Sequence, residues 1–434
     1  MADWIASPGG PLHGTPPIPG DKSVSHRAVM LAAIAEGDSR IEGLLEGEDV
    51  HATCAAFRAM GVAIEAPAPG VRLVRGVGLD GLRRPAGPID CGNAGTAMRL
   101  LAGLLAGQAF DSVLVGDASL SRRPMARVVA PLARMGARID TGADGTPPLR
   151  IHGTGALRAI DFAGEVASAQ VKSAILLAGL YAAGETRVTE PRPTRDYTER
   201  MLAGFGARVR HAPGEASVQG RPRLLATDVV VPADFSSAAF LLVAATLAPG
   251  SDLVLRGIGA DPRRTGLLRV LRAMGADIVE DAHRDLGGLA VADLRVRHAP
   301  LHGVEVDAAD VADMIDEFPV LFVAAACAAG RTVVRGAGEL RVKESDRIAT
   351  MAAGLRALGI RVDETPDGAT IHGGGFRGGA VDSHGDHRVA MAFAVAGQLA
   401  AGEVRIGDVA NVATSFPGFA DVARACGFGL VGAG

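Results

Sequence analysis

The chain of 434 residues is poor in aromatic side chains, in cysteine and in long apolar runs. Aromatic residues make up 4% of it and the net charge is −4, which excludes the broad basic surface that binds nucleic acid. Its four cysteines show no CxxC spacing, so the pattern favours neither a disulfide framework nor a zinc site and indicates a reducing compartment. The apolar runs are too short to cross a bilayer and no secretion signal is recognisable, so we expect a cytoplasmic protein.

Lysine is also scarce. Of the 44 basic residues, 41 are arginine and only three are lysine, namely Lys22, Lys172 and Lys343. Each lysine stands in a polar cluster at the head of an apolar helical pattern. Lysine offers a compact charge with an adjustable pKa, which the planar guanidinium of arginine does not. We interpret the three positions as marks of a chemical site, although an accidental placement stays open, above all for Lys172.

Two series of glycines recur six times each and interleave without a gap. Each glycine follows a helical pattern and precedes a strand pattern, as expected of a left-handed residue that ends a helix. The first series ends apolar helices and the second ends amphipathic ones. The first series is Gly37, Gly107, Gly184, Gly250, Gly330 and Gly402, and the second is Gly61, Gly136, Gly206, Gly275, Gly359 and Gly427.

These series predict an α/β fold built from six repeats of about 70 residues, each with two helices and at least three strands. A chain of this length exceeds the usual size of one domain, roughly 250 residues. We therefore expect two halves of three repeats, divided near residues 227–232.

The apolar helix of each repeat begins in a polar segment. Free backbone N–H groups and the helix dipole attract anions to such an end. Ordinary N-capping explains Asp234 and Ser236. It does not explain Lys22 and Arg27, because the positive end of the helix dipole repels cations. We interpret two cations at this position as stable only when an anion binds beside them. The segments are DKSVSHR (21–27), NAGTAMR (93–99), ASAQVKS (167–173), DFSSAAF (234–240), DEFPVLF (316–322) and DHRVAMA (386–392).

Other motifs are weaker. The stretches HGGGFRGG (372–379) and RIHGTG (150–155) fit hairpin turns better than a phosphate-binding loop, because no helix pattern follows. His384, Asp386 and His387 lie close together, but no distant ligand completes a metal site. Ser345 is a candidate N-cap for the helix of the fifth repeat.

Nine segments together resemble one enzyme family, the 3-phosphoshikimate 1-carboxyvinyltransferases or EPSP synthases, over nearly the whole chain. The resemblance implies an inside-out α/β barrel in two domains, with three βαβαββ repeats in each, that close over the active site. It also implies that residues 1–19 join residues 231–434 in one domain and that residues 20–230 form the other. The segments are GDKSVSHR (20–27), NAGTAMR (93–99), GDASLSRRPM (116–125), SAQVKSA (168–174), TRD (194–196), MIDEFP (314–319), RVKESDR (341–347), GDHR (385–388) and ATSFP (413–417).

The resemblance implies transfer of an enolpyruvyl group from phosphoenolpyruvate to the 5-hydroxyl of shikimate 3-phosphate, by a monomer without metal or organic cofactor. It implies that Asp316 takes the hydroxyl proton, that Glu344 protonates and deprotonates the methylene carbon, and that Lys22 assists. Shikimate 3-phosphate would contact Lys22, Ser23, Arg27, Ser168, Ala169, Gln170, Arg195, Asp316 and Lys343. Phosphoenolpyruvate would contact Lys22, Gly95, Arg123, Gln170, Arg347 and Arg388.

The chain departs from some family members at Thr414, where they carry lysine, and at Ala169, where they carry serine. Gly95 is associated with sensitivity to glyphosate, whereas other segments resemble a tolerant branch, so tolerance stays open. One alternative is the sister enzyme acting on UDP-N-acetylglucosamine, whose usual cysteine is missing from GDASLSRRPM. Another is a non-catalytic anion-binding protein of the same fold, which would gain nothing from carboxylates beside its ligand.

Overall fold

The computed structural model describes residues 3–433, and the contacts within it divide the chain into two compact units. Unit A is residues 20–232 with the hairpin tip 285–289, and unit B is the described part of residues 1–19, 233–284 and 290–434. The division predicted from the resemblance differs from these units at residues 231–232 and at that hairpin tip. Each unit has its own apolar core.

The chain begins with two strands of unit B, β1 (Asp3–Ser7) and β2 (His13–Gly14), and then enters unit A. The helices of unit A are α1 (Lys22–Ile34), α2 (Glu48–Ala59), α3 (Gly95–Ala106), α4 (Ala126–Arg134), α5 (Ala169–Gly179) and α6 (Tyr197–Gly204). Its strands are β3 (Glu36–Glu42), β4 (Ala63–Ala68), β5 (Val71–Val77), β6 (Ile89–Asp90), β7 (Ser112–Val115), β8 (Arg138–Asp140), β9 (Leu149–His152), β10 (Asp161–Ala163), β11 (Glu185–Thr189), β12 (Val209–Ala212), β13 (Glu215–Gln219) and β14 (Val229–Val230).

The strands of unit A form three four-stranded sheets, in the orders β14-β3-β5-β4, β6-β7-β9-β8 and β10-β11-β13-β12. In each sheet one edge pair is parallel and the other pairs are antiparallel. The second and third repeats run β-α-β-α-β-β in chain order. In the first repeat the parallel strand is β14, which is the last strand of residues 20–232 in chain order.

Unit B continues with further helices and strands. The helices are α7 (Phe235–Leu247), α8 (Gly266–Ala273), α9 (Ala308–Val311), α10 (Phe318–Cys327), α11 (Arg347–Ala357), α12 (His387–Gln398) and α13 (Phe419–Cys426). The strands are β15 (Asp252–Gly259), β16 (Asp277–Leu286), β17 (Leu289–Arg297), β18 (Arg331–Val334), β19 (Val362–Thr365), β20 (Gly368–His372), β21 (Gly379–Asp382), β22 (Val404–Gly407) and β23 (Gly429–Ala433).

Three sheets of unit B repeat the same plan, in the orders β16-β17-β15-β2, β18-β20-β19 and β21-β22-β1-β23. The sheet of three strands gains two isolated parallel bridges where the other sheets have a parallel edge strand. Glu305 bridges to Val333 in β18, and His302 bridges to Ala329, just before β18. The N-terminal strand β1 lies between β22 and β23 and pairs antiparallel with both.

The two helices of each repeat differ in burial as the sequence predicts. In α7 every residue from Phe235 to Thr246 is buried, because the segment is apolar on all sides. The amphipathic helix α8 instead buries Leu267 and Leu271 and exposes Arg272. All six buried helices, α1, α3, α5, α7, α10 and α12, begin inside the polar segments named above, which confirms their predicted starts.

The glycine pattern is confirmed for the second series and only in part for the first. All six glycines of the second series have φ between +88° and +115°. In the first series Gly107 and Gly402 lie outside the left-handed region, contrary to the prediction. Packing explains Gly107, because a Cβ there would stand 2.3 Å from Cγ of Tyr181.

The hairpin interpretation of the two glycine-rich stretches was wrong. Residues 373–378 connect β20 to β21, and residues 153–160 connect β9 to β10, and in both cases the two strands belong to different sheets. These stretches therefore link successive repeats. Their resemblance to turns reflects the glycine content that any sharp change of chain direction favours.

Candidate active site

In unit A the first two turns of α1 carry three of the predicted residues, Lys22, Ser23 and Arg27. Asp21 caps the helix by accepting a hydrogen bond from the Val24 N–H at 2.8 Å. The Lys22 ammonium lies 3.0 Å from Oδ2 of Asp49, whose side chain is 5% exposed. A buried carboxylate therefore already accompanies Lys22, and the expectation that only a bound anion makes this lysine tolerable was wrong.

Arg27 lies one turn further along α1 and is buried. Its guanidinium donates hydrogen bonds to the Ser23 carbonyl at 2.9 Å, to the Thr198 hydroxyl at 2.7 Å and to the Ser173 hydroxyl at 2.8 Å. Burial lowers the pKa of Arg27 to about 10, and the positive charge of Arg195 acts in the same direction. Arg195, half-buried in the loop before α6, therefore belongs to the same electrostatic environment.

A second cluster of unit A forms where α3 begins. Arg123 donates to Oδ1 of Asn93 at 2.7 Å, and Arg99 donates to Oε1 of Gln170 at 3.0 Å. A Cβ on Gly95 would stand 2.9 Å from Nη1 of Arg123 and 3.0 Å from Nη1 of Arg99. The structure thus brings Gly95, Arg123 and Gln170 together, as the resemblance implies for one substrate.

The start of α5 supplies the remaining predicted residues of unit A. Ser168 caps α5, accepting a hydrogen bond from the Val171 N–H at 3.4 Å, and Ala169 is the first helical residue. Lys172 lies one turn further along and is buried between two carboxylates, with 2.9 Å to Glu190 and 2.9 Å to Glu199. This lysine therefore has a structural ion-pair role rather than the exposed charge of a ligand-binding group.

In unit B a carboxylate and two cations meet in front of α10. One carboxylate oxygen of Asp316, Oδ1, lies 3.8 Å from the Lys343 ammonium and 3.7 Å from Nη1 of Arg347. Arg347 also contacts Glu344 at 2.7 Å and Asp386 at 2.8 Å. Both predicted proton-transfer groups, Asp316 and Glu344, are thus neighbours of the same arginine.

Arg347 is 1% exposed, and burial alone would lower the pKa of its guanidinium. The charges of Asp386 and Glu344 outweigh that effect and raise the pKa above the ordinary value. Within residues 3–433, Nη1 of Arg347 is a buried nitrogen that forms no hydrogen bond. The two N–H donors on Nη1 of a permanently charged side chain are therefore left for a further acceptor.

The remaining predicted residue of unit B, Arg388, lies in the first turn of α12. Its side chain donates to the backbone carbonyl of Asp316 at 3.1 Å and lies 3.5 Å from Glu317. Asp386 caps α12 through the Arg388 N–H at 2.9 Å, whereas the predicted N-cap Ser345 donates to Asp386 instead, at 3.1 Å. The N-cap of α11 is Asp346, so that prediction was wrong by one residue.

Thr414 is buried and donates a hydrogen bond to the Asn411 carbonyl at 2.7 Å. Its hydroxyl is thus used locally, and it adds no charge where some family members carry lysine. Among the described residues, no group of three or more histidine, cysteine, aspartate or glutamate side chains is arranged to hold a metal ion. No helix of the described chain has both the length and the hydropathy to cross a membrane.

Sequence reasoning missed several polar neighbours of these clusters. Arg264 contacts Asp316 from the loop before α8, and Asp49 contacts Lys22 from α2. Arg264 is one arginine among 41 and stands in no recognised motif, so no sequence signal distinguishes it. Arg99 lies in the quoted segment NAGTAMR, and its place one turn after Gly95 could have identified it.

Comparisons with known proteins agree with the architecture and with the motifs. A sequence model described as EPSP synthase (3-phosphoshikimate 1-carboxyvinyltransferase) matches residues 6–423. A protein of Xanthomonas campestris pv. campestris (strain B100), named 3-phosphoshikimate 1-carboxyvinyltransferase, is 67% identical over 427 residues, 98% of either chain. The solved structure of EPSP synthase from Acinetobacter baumannii superposes with a TM-score of 0.89 at 48% identity over 100% of both chains.

The enolpyruvyl transferase NikO from Streptomyces tendae is a more distant neighbour, with a TM-score of 0.79 at 18% identity over 100% of this chain and 99% of NikO. That likeness shows the fold alone, which is the mixed α/β fold of the enolpyruvyl transferases. The chain belongs to the EPSP synthase family and is a transferase. The resemblance deduced from the nine segments is thereby confirmed.

Proposed function

We propose that the chain transfers the enolpyruvyl group of phosphoenolpyruvate to the 5-hydroxyl of shikimate 3-phosphate and releases inorganic phosphate. The observation that carries this proposal is the placement of two carboxylates, Asp316 and Glu344, beside Arg347. A receptor for anions would gain nothing from these carboxylates, whereas an addition and elimination reaction needs groups that move protons.

The reaction balances in two steps. In the first step the 5-hydroxyl oxygen bonds to C2 of phosphoenolpyruvate, Asp316 accepts the hydroxyl proton, and Glu344 gives a proton to C3. In the second step Glu344 takes a proton back from C3, the double bond re-forms and the C–O bond to phosphate breaks. The departing phosphate takes up the proton that Asp316 accepted, which returns both carboxyl groups to their starting states. Because the two carboxylates begin in opposite protonation states, we expect their surroundings to separate their pKa values.

For shikimate 3-phosphate, the proposed contacts are the side chains at the starts of α1 and α5 together with Arg195, Asp316 and Lys343. Arg27 supports this assignment, because its guanidinium is fixed by three hydrogen bonds and keeps a charge beside Arg195. Helix N-termini add backbone N–H groups that suit phosphate. Lys22 is proposed to contact both substrates.

For phosphoenolpyruvate, the proposed contacts are Lys22, Gly95, Arg123, Gln170, Arg347 and Arg388. Arg347 supports this assignment, because its Nη1 is buried, charged and without a hydrogen bond inside residues 3–433. An arginine binds a carboxylate or phosphate through two parallel hydrogen bonds, which fixes the orientation of the ligand. Gly95 leaves space beside the guanidinium of Arg123.

The protein is further proposed to act in the cytoplasm as a monomer with two functional domains, residues 20–230 and residues 1–19 with 231–434. Cys54, Cys91, Cys327 and Cys426 are all free thiols, which fits a reducing compartment. No metal or organic cofactor enters the proposed chemistry, so a chelator should leave the rate unchanged.

The test is phosphate release on mixing the purified chain with phosphoenolpyruvate and an acceptor. We expect release with shikimate 3-phosphate and none with UDP-N-acetylglucosamine or with phosphoenolpyruvate alone. Release with the nucleotide sugar instead would identify the sister activity. Tight binding of shikimate 3-phosphate without any release would identify a non-catalytic anion-binding protein.

A further inference from the structure

Arg264 is a buried cation of unit B that the proposed reaction does not yet use. It lies in the loop between β15 and α8 and is 4% exposed. Its Nη1 is 3.4 Å from Oδ2 of Asp316 and 3.2 Å from Oε1 of Glu317. Its Nη2 is 3.3 Å from Oδ1 of Asp234 and donates a hydrogen bond to the Ser236 hydroxyl.

Three cations contact the two carboxylate oxygens of Asp316. Oδ1 faces Lys343 and Arg347, which are both proposed to bind substrate, and Oδ2 faces Arg264. An anionic substrate competes with Asp316 for the two ligand-binding cations. Arg264 is not proposed to bind a substrate, because it contacts buried groups at the starts of α7 and α10.

We infer that Arg264 is a positioning residue for Asp316, which it holds ionised and fixed in direction while Lys343 and Arg347 engage the substrates. The inference rests on the proposed function, in which Asp316 accepts the hydroxyl proton. A planar guanidinium contacts Asp316, Glu317 and Asp234 from one fixed plane, which a lysine ammonium does not do.

The charges around Asp316 determine the direction of the expected pH effect. Without Arg264, the repulsion among the neighbouring carboxylates makes ionisation of Asp316 less favourable, which raises its pKa. Asp316 would then lose its accepting form at a higher pH. The charged and polar groups that face this region are Arg264 from the loop before α8, Asp234 and Ser236 from the N-cap and first turn of α7, Glu317 from the N-cap of α10, Lys343 and Glu344 from the segment before α11, Arg347 from α11, and Asp386 and Arg388 from the N-cap and first turn of α12.

The experiment compares Arg264→Gln, Arg264→Lys and the control Arg263→Gln in steady-state assays of phosphate release from pH 5 to 9. Arg263 is the adjacent residue, but it is 42% exposed at the side chain and pairs with Asp313. For Arg264→Gln we expect kcat to fall roughly 100-fold, the scale of a misplaced reacting group. We also expect the acidic limb of kcat/KM to move to higher pH. Arg264→Lys should return the acidic limb of kcat/KM to the pH of the unmodified chain, while its kcat stays at least tenfold below that of the unmodified chain. Arg263→Gln should match the unmodified chain in both quantities.

Each result decides the inference. A kcat of Arg264→Gln within threefold of the unmodified chain would overturn it, and so would a lower kcat with an unmoved acidic limb, which a merely structural role would produce. If Arg264→Gln does not fold, as judged by fluorescence of Trp4 in unit B, Arg264→Lys decides alone: normal kcat would overturn the inference. Failure of the proposed function is distinct, because the unmodified chain would then release no phosphate.

Discussion

The Lys22 ammonium and the Asp49 carboxylate form an ion pair of 3.0 Å that joins the first turns of α1 and α2. Both groups are largely buried, with 17% and 5% of their side chains exposed. A lysine at the start of a helix faces the positive end of the dipole, so a permanent carboxylate partner offsets that repulsion. The pair holds a proposed substrate-binding charge in place before any ligand arrives.

Asp49→Asn should therefore weaken unit A. Loss of a hydrogen bond to a charged group costs about 1.5–3 kcal/mol, and the unpartnered lysine then favours an incoming anion. We expect a lower denaturation midpoint for unit A, reported by the fluorescence of Tyr181 and Tyr197, and a larger rescue by shikimate 3-phosphate than in the unmodified chain. Equal rescue in both proteins would show that Asp49 does not compensate the charge of Lys22.

Asp316→Ala and Glu344→Ala should each abolish turnover while substrate binding stays largely intact. General acid or base catalysis contributes roughly 100- to 10,000-fold to a rate, so kcat should fall at least 100-fold in each variant. Phosphate release gives kcat, and calorimetry gives the affinity for shikimate 3-phosphate. Near-normal rates in both variants would contradict the assigned roles.

Lys172→Met should destabilise unit A without a direct effect on either proposed substrate site. It leaves Glu190 and Glu199 buried without their shared cation, and breaking a buried pair costs about 3–5 kcal/mol. The matched control is Arg187→Met, since Arg187 pairs with Glu215 on the exposed surface of the same unit. Exposed pairs contribute about 0–1 kcal/mol, so urea denaturation should separate the two variants clearly.

Gly95→Ala should weaken phosphoenolpyruvate binding more than it slows turnover. The added Cβ would stand 2.9 Å from Nη1 of Arg123, so that guanidinium must shift from its bond to Asn93. Loss of about one hydrogen bond, about 1 kcal/mol, corresponds to a KM for phosphoenolpyruvate roughly fivefold higher. Gly204→Ala is the control, because a Cβ there meets nothing within 4 Å. An unchanged KM for Gly95→Ala would show that Arg123 does not depend on this space.

His26 should make the stability of unit A depend on pH. Burial, together with the charges of Lys22 and Arg27, lowers the pKa of His26 from 6.5 to about 3. Between these values the unfolded chain binds a proton that the folded chain does not, so stability falls as the pH falls, by at most about 1.4 kcal/mol per pH unit. His26→Gln should flatten the slope of denaturation midpoint against pH from 6.5 to 4.5, whereas His283→Gln at an exposed position should not. Equal slopes for His26→Gln and the unmodified chain would refute this origin.

The repeat architecture was predictable because its signals are local. A glycine such as Gly61 or Gly275 is selected by the left-handed backbone that ends its own helix, with φ of +91° and +103°. The polar starts of the buried helices are equally local, since a cap and its helix are adjacent in sequence. Gly107 shows the limit of this reasoning, because its small size is required by contact with Tyr181, in the turn after α5, rather than by its own backbone conformation.

The ion pairs of the candidate site were not predictable, because their partners are far apart in sequence. Asp49 reaches Lys22 across 27 positions and Arg264 reaches Asp316 across 52, and neither partner stands in a recognised motif. Sequence alone therefore indicated which cations gather at helix starts. It could not show that carboxylates of the chain itself form ion pairs with several of these cations, including Lys172.

The position of β1 between β22 and β23 affects the order in which the two units fold during synthesis. Residues 20–232 emerge as one continuous stretch and can fold while synthesis proceeds. The strand β1 cannot pair until β22 and β23 have been synthesised, some 400 residues later. At 5–20 residues per second this delay is roughly 20–80 s. The nascent chain therefore carries an unpaired strand for most of its translation, and unit B becomes complete only when the last sheet strand has left the exit tunnel.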